Sequence, residues 1–265
     1  MSKAYVETTV LTDLLLKPRT KKQARAKVAL ARYDETLLPV YAIKEWKAGP
    51  LDHYAWVHDK LRTTKSFEAT LRAISELPNY YRKPTAMEAI TAAVTIRAPQ
   101  QTKWQGLGNN DEAMADSYRL ALAALIIRSW RKRRKLTTEV VQDLECYVEA
   151  EPEVRRDGLL DLKPSHCEPD RECGLAAELK AKRKTLEALR AAIPENSGRT
   201  EDQKRRKALK QLIKHPNIVL DPETCRNLGD AVFAFFCPSN AVILTTNLRD
   251  HAPLAEAIGK KAEKP

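Results

Sequence analysis

Four acidic side chains stand where this chain otherwise places apolar or capping residues. Glu7 closes the run "AYVE", Glu45 follows "LLPVYA", Asp230 interrupts "GDAVFAFF", and Asp250 follows "AVILTTNLR". A carboxylate facing a core is costly unless it is paired or ligates a cation. If the runs bearing these acids are parallel neighbours in one sheet, all four reach the same edge, where open α/β sheets bind ligands. Clustered like charges repel, so such a group calls for Mg²⁺ or Mn²⁺, which prefer oxygen donors. A cation held there activates water and stabilises a pentavalent phosphorus. The chemistry would be attack of metal-generated hydroxide at phosphorus.

Glu7 has few plainer readings, but the other three acids each have one. Glu45 lies between Lys44 and Lys47, as a solvated helix residue would. Asp230 follows Arg226 at the i, i+4 spacing of a helical ion pair. Asp250 or Asn247 can cap the last helix, and Asp221 reads as a cap in its own right. Asp13, close after Glu7, is a secondary candidate. The acids carry weight only as a set.

Their placement depends on the elements around them. "AYVETTVLTDLLL" predicts a strand over Ala4–Glu7 and a helix from about Val10. Pro18 interrupts, and a basic helix follows over roughly Lys21–Arg32. "LLPVYA" is a second strand, and "IKEWKAG" opens a helix with Glu45 in its first turn, broken or kinked at Gly49-Pro50. Strand, helix, strand, helix opens an α/β fold. The middle reads differently. Thr85 with Glu88, and Asn109 with Glu112, resemble capping boxes before an Ala-rich helix and the long run Asp111–Lys135. Leu175, Leu179, Leu186 and Leu189 mark one face of a further helix. Thr200 and Gln203 cap a short basic one, and a strand is expected only around Val140–Tyr147. Residues 62–214 therefore read as a mainly helical insert or subdomain between the segments 1–61 and 215–265. In the last segment "NIVL" is a short strand or turn, and Asp221-Pro222 starts a helix that runs to Cys237. "AVILT" is a strand, "HAPLAEAIG" a final helix, and "KKAEKP" a frayed tail.

Taken in order, "YVETTVLTDLL", "PVYAIKEWKAG", "LGDAVFAFF" and "VILTTNLRDHAPLAEAIG" resemble the four blocks of a PIN-domain ribonuclease, the fold of the VapC-type toxins. The resemblance covers about the first and last fifty residues. It implies a PIN-like small parallel sheet flanked by helices, a Mg²⁺ or Mn²⁺ site, and endonucleolytic cleavage of RNA. It also implies that Glu7, Glu45 and Asp230 are the first three catalytic and metal-binding acids. Thr9 replaces the usual Asn. Leu248 stands where many members carry a fourth acid, so Asp250 would substitute for it, with Thr246 and Asn247 bonding the carboxylates or a phosphate. A cognate antitoxin, another protein partner or a homo-oligomer would be in keeping with such a toxin-like chain. The rival reading is a catalytically inactive PIN scaffold that binds nucleic acid or protein.

Composition agrees with a nucleic-acid partner. The net charge is +11, and 43% hydrophobic residues suffice for a core. "KPRTKKQARAKVALAR" has no acid. Lys21, Lys22 and Arg25 on it are candidate phosphate contacts, and "NYYRKP" sets Tyr80 and Tyr81 beside Arg82 for stacking on unpaired bases. "SHCEPDREC" offers His166, Cys167 and Cys173, but at no usual zinc spacing, with Cys146 and Cys225 remote. No GxGxxG or Walker loop points to a nucleotide cofactor. Five cysteines at irregular spacing do not make a disulfide framework. No run has the roughly 18 apolar residues of a membrane span, and none near the start has the apolar stretch of a secretory leader. A soluble, cytoplasmic setting is expected.

Overall fold

The structure is a computed structural model that describes residues 1–78, 82–98, 110–141, 144, 147, 149–163, 174–215 and 220–265. The candidates Tyr80, Tyr81, Cys146, His166, Cys167 and Cys173, the expected cap Asn109, and most of "NIVL" lie outside these residues.

The chain runs β1 (Lys3–Val6), α1 (Thr8–Leu16), α2 (Lys21–Leu30), β2 (Glu35–Pro39) and α3 (Val40–Trp46). A π-helical turn, Lys47–Leu51, leads into α4 (Asp52–Thr64). Then come α5 (Phe67–Ser75), α6 (Arg82–Arg97), α7 (Asp111–Leu136), β3 (Glu139–Val141), β4 (Glu153–Val154), β5 (Leu160–Asp161), α8 (Gly174–Ala181), α9 (Arg183–Ala191) and α10 (Thr200–Lys214). The chain closes with α11 (Pro222–Phe236), β6 (Ala241–Leu244), α12 (Leu248–Glu256) and β7 (Lys261–Glu263). Five strands form one parallel sheet in the order β3-β2-β1-β6-β7, and β4 and β5 form a separate antiparallel pair.

The all-parallel sheet with helices on its faces is the expected α/β class. Register puts Tyr5 beside Leu37 and Ile243, so the apolar runs of β1, β2 and β6 stack at the centre. Val6 pairs with Leu244, which sets the carboxyl ends of β1 and β6 side by side. Phe233 of α11 meets Tyr5, Tyr41 and His251 edge to face, with ring centroids 5.6 to 6.1 Å apart. That one ring pins α11 against β1, α3 and α12.

Several local expectations shift. The second strand ends at Pro39, so α3 begins at Val40 and Glu45 lies in its second turn, not its first. Gly49-Pro50 does not break the helix. The backbone passes through the π-helical turn, which absorbs the N–H that Pro50 lacks, and continues as α4. α6 starts at Arg82, three residues before Thr85, and Glu88 pairs with Lys17 instead of completing a capping box. The cap of α7 is Asn110, whose side chain accepts from the Glu112 and Ala113 amides. Arg199, not Thr200, is the capping position of α10, and it gives no side-chain cap bond. The leucine stripe spans two helices, α8 and α9, and all four leucines are buried. Asp221 caps α11 as expected, accepting from Glu223 and Thr224 at 2.8 Å. The tail does not fray. Lys261–Glu263 pair in parallel with β6, and the Thr245 amide donates to the Glu263 carbonyl at 3.0 Å.

The middle of the chain is mainly helical and is built into the same core. Its α7 packs Trp130 flat on Trp46, at 6.3 Å and 2°. Ser129 donates to the Leu15 carbonyl at 2.8 Å, which fixes the end of α1, and β3 extends the sheet beyond β2. Among the described residues, no helix is long and apolar enough to cross a membrane.

Candidate active site

Glu7 occupies the joint between β1 and α1. Its amide donates to the Leu244 carbonyl and its carbonyl accepts from Val10 and Leu11, so the backbone serves strand and helix together. The side chain makes no capping bond. It is buried, and its Oε2 accepts from Thr245 Oγ1 at 3.0 Å and also from Thr9 Oγ1. Thr9 Oγ1 in turn accepts from the Thr246 amide at 3.1 Å, and Thr245 Oγ1 from the Asn247 amide at 2.9 Å. The polar turn after β6 therefore builds a cradle for the Glu7 carboxylate. Thr245, which reads from sequence only as the end of a strand, makes the direct contact.

Glu45 points from α3 toward the same place. Thr8 Oγ1 donates to its Oε2 at 3.0 Å. Gly229 of α11 is what admits it, because a Cβ there would lie 3.1 Å from Glu45 Oε1. Asp230 is the next residue on α11. Glu7, Glu45 and Asp230 all line one open cavity of about 770 Å³ at the carboxyl edge of the sheet, with Thr8, Thr9, Thr12, Asp13, Thr246 and Asn247. Lys17, Lys22, Arg25, Arg226 and Lys264 line it as well.

The electrostatics follow from this crowding. Burial raises the Glu7 carboxyl, and the Asp230 charge adds to that, while His251 and the Thr9 hydrogen bonds pull the other way. Burial pushes Glu45 up to about 8, helped by the charges of Glu7 and Asp230 against the hydrogen bonds from Thr8 and Tyr41. Glu45 thus holds a proton at neutral pH as the acids stand.

Asp230 is not the partner of Arg226. Its Oδ2 takes the Arg205 guanidinium of α10, and its Oδ1 lies 3.3 Å from His251 Nε2. Asp250 does not join the cavity. Both its oxygens face Arg199, with Nη2 to Oδ2 at 3.0 Å, and Asn247 Nδ2 donates to it at 2.8 Å. Burial would raise its carboxyl, but the hydrogen bonds of Arg199 and Asn247 and the charges of Arg199 and Arg205 outweigh that and hold it at about 2. The assignment of Asp250 as a ligand replacing Leu248 is therefore corrected: a guanidinium already satisfies it. The Asn247 side chain supports Asp250, while its amide serves the Glu7 cradle through Thr245.

Asp13 lines the cavity but pairs with Lys17 at 2.8 Å. Of the basic candidates, Lys22 and Arg25 reach the rim and Lys21 is exposed on the same helix. Arg82 lies elsewhere, paired with Asp52 at 3.1 Å and set over the Trp56 ring.

The donor set suits a hard divalent cation, with three carboxylates from three elements and a buried repulsion that a cation would relieve. As the side chains stand, no group of three or more His, Cys, Asp or Glu among the described residues could hold a metal ion. Asp230 has each oxygen turned to a neighbouring basic side chain, Arg205 or His251.

Sequence reasoning misses Thr8, Thr245, His251, Arg199 and Arg205. The first two adjoin an acid or a strand end already singled out, so adjacency is a usable signal. The two arginines come from the middle of the chain; Arg205 lies in the basic run "KRRK" (Lys204–Lys207), while Arg199 carries no local signal. Comparison with protein-family models, with curated proteins and with solved structures finds no match for this chain.

Proposed function

We propose that the chain is a PIN-like, metal-dependent endonuclease, a hydrolase acting on phosphodiester bonds with RNA as the preferred substrate. The observation that carries this reading is the meeting of Glu7, Glu45 and Asp230, from β1, α3 and α11, in one cavity rimmed by Lys17, Lys22, Arg25, Arg226 and Lys264. Glu7, Glu45 and Asp230 would hold Mg²⁺ or Mn²⁺, which when bound supplies an activated water and charge neutralisation at phosphorus. The rest belongs to the chain itself. Thr9 and Thr245 hold the Glu7 carboxylate in one orientation, and Thr8 does the same for Glu45. The basic rim draws in a polyanion and keeps its phosphates outside the acids. RNA is preferred on the strength of the family resemblance, and a cytoplasmic setting suits that substrate.

One observation favours the rival, a catalytically inactive scaffold that binds nucleic acid or a protein partner. Asp230 is engaged on both oxygens by Arg205 and His251. The deciding experiment is cleavage of total RNA with Mn²⁺ by the wild type and Glu7→Gln, alongside RNA binding by fluorescence anisotropy. Cleavage by the wild type alone, with binding retained in both, is the expected result. RNA binding without cleavage under any divalent cation would overturn the enzyme reading in favour of the scaffold.

A further inference from the structure

The cavity that holds the three acids is also lined by Arg226, on the same helix as Asp230. Glu7 is met by threonine hydroxyls and Glu45 by Thr8. The cation in contact with the set comes from α10. Arg205 is buried, places Nη2 on Asp230 Oδ2, and keeps Nη1 3.5 Å from Asp202 Oδ1. Its Nε is buried with no hydrogen-bond partner. His251 approaches the other Asp230 oxygen from α12.

We propose that Arg205 sets the affinity of this site for a divalent cation: its guanidinium occupies Asp230 in the cation's place and yields it by turning onto Asp202. The inference rests on the metal-dependent reading above. A guanidinium and a divalent cation cannot share one half-buried carboxylate cheaply, because like charges a few ångströms apart repel strongly where water is scarce. One of them must leave. Arg205 has somewhere to go, since Asp202 already lies in reach, held by Ser197 at 2.7 Å and shared with Arg199 Nη1 at 3.6 Å. The helix need not move. Ala208, Leu209 and Leu212 bury α10 in the core, so the exchange is a side-chain rotation. The unpartnered Nε means that the present position is incompletely satisfied, which lowers the cost of leaving it.

The test is Mn²⁺ binding to the whole chain, read from the electron paramagnetic resonance of free Mn²⁺, for the wild type, Arg205→Gln and Asp202→Asn. Arg205→Gln is expected to bind Mn²⁺ at least about tenfold more tightly than the wild type. Asp202→Asn, which keeps Arg205 but weakens its second berth, is expected to bind more weakly, and it serves as the measurement if Arg205→Gln does not fold. Equal or weaker binding by Arg205→Gln would overturn the inference and leave the metal-dependent reading standing. Binding by Asp202→Asn as tight as the wild type would do the same. No Mn²⁺ binding by any of the three would overturn both.

Discussion

Replacing Asp250 by Asn removes one charge from the best-formed ion pair near the cavity and leaves the volume almost unchanged. Arg199 contacts both carboxylate oxygens, Asn247 adds a third bond, and the Asp250 side chain is only 10% exposed. Holding the carboxyl at about 2 instead of 3.8 corresponds to roughly 2 kcal/mol of stability. Arg199 is 30% exposed, so solvent screening trims this toward about 1–2 kcal/mol. The sign is that of a depressed carboxylate. The stabilisation is fully present above the unfolded value and is lost as pH falls through the folded one. Urea unfolding of wild type and Asp250→Asn from pH 7 down to pH 2 should therefore show a gap that holds down to about pH 4 and closes near pH 2. The cavity acids titrate in both proteins and largely cancel in the difference. A gap that does not change with pH would mean that packing, not charge, is lost. No gap at neutral pH would refute the ion-pair account. Loss of Mn²⁺ binding at unchanged stability would restore Asp250 as a ligand.

Three further outcomes are expected. Glu45→Gln removes a carboxyl raised to about 8. Such a group stabilises the fold fully only below its unfolded value and loses that contribution as pH rises through about 8. The variant should match the wild type near pH 4 and melt higher than it at pH 9, and a wild type at least as stable at pH 9 would contradict the assignment. Gly229→Ala places a Cβ 3.1 Å from Glu45 Oε1 and gains about 0.5–1 kcal/mol of helix propensity. Its melting temperature should hold or rise while Mn²⁺-supported cleavage falls, and full activity would show that the Glu45 carboxylate tolerates displacement. Replacing Lys21, Lys22 and Arg25 together by Gln should weaken RNA binding and flatten its dependence on salt, by about one unit of log–log slope for each phosphate no longer neutralised. Unchanged affinity and slope would assign α2 to a solvated face.

The acids that reach the cavity are legible in the sequence because each marks an irregularity in a short-range pattern. Glu7 and Asp230 interrupt apolar runs, and Glu45 follows closely on a strand; strand pairing together with the packing of α3 and α11 brings them together. The parallel sheet is legible for the same reason, since its three central strands carry the apolar runs "AYV", "LLP" and "AVIL". What escapes is set by docking. Glu263 and Lys261 look like a charged, frayed tail, yet edge pairing uses backbone groups that any side chain permits. The expected partner of Asp230 is Arg226, one turn away on α11, but the partner found is Arg205, 25 residues earlier. The partner of Asp250 is 51 residues earlier. Both arginines sit on or beside α10, Arg205 within the basic run "KRRK" (Lys204–Lys207) and Arg199 ahead of it. Its apolar stripe, Ala208, Leu209 and Leu212, turns that run inward at one end and carries Arg205 to the acids. A charge run therefore has to be judged with the stripe that shares its helix: the stripe decides which of its charges meet water and which meet a site.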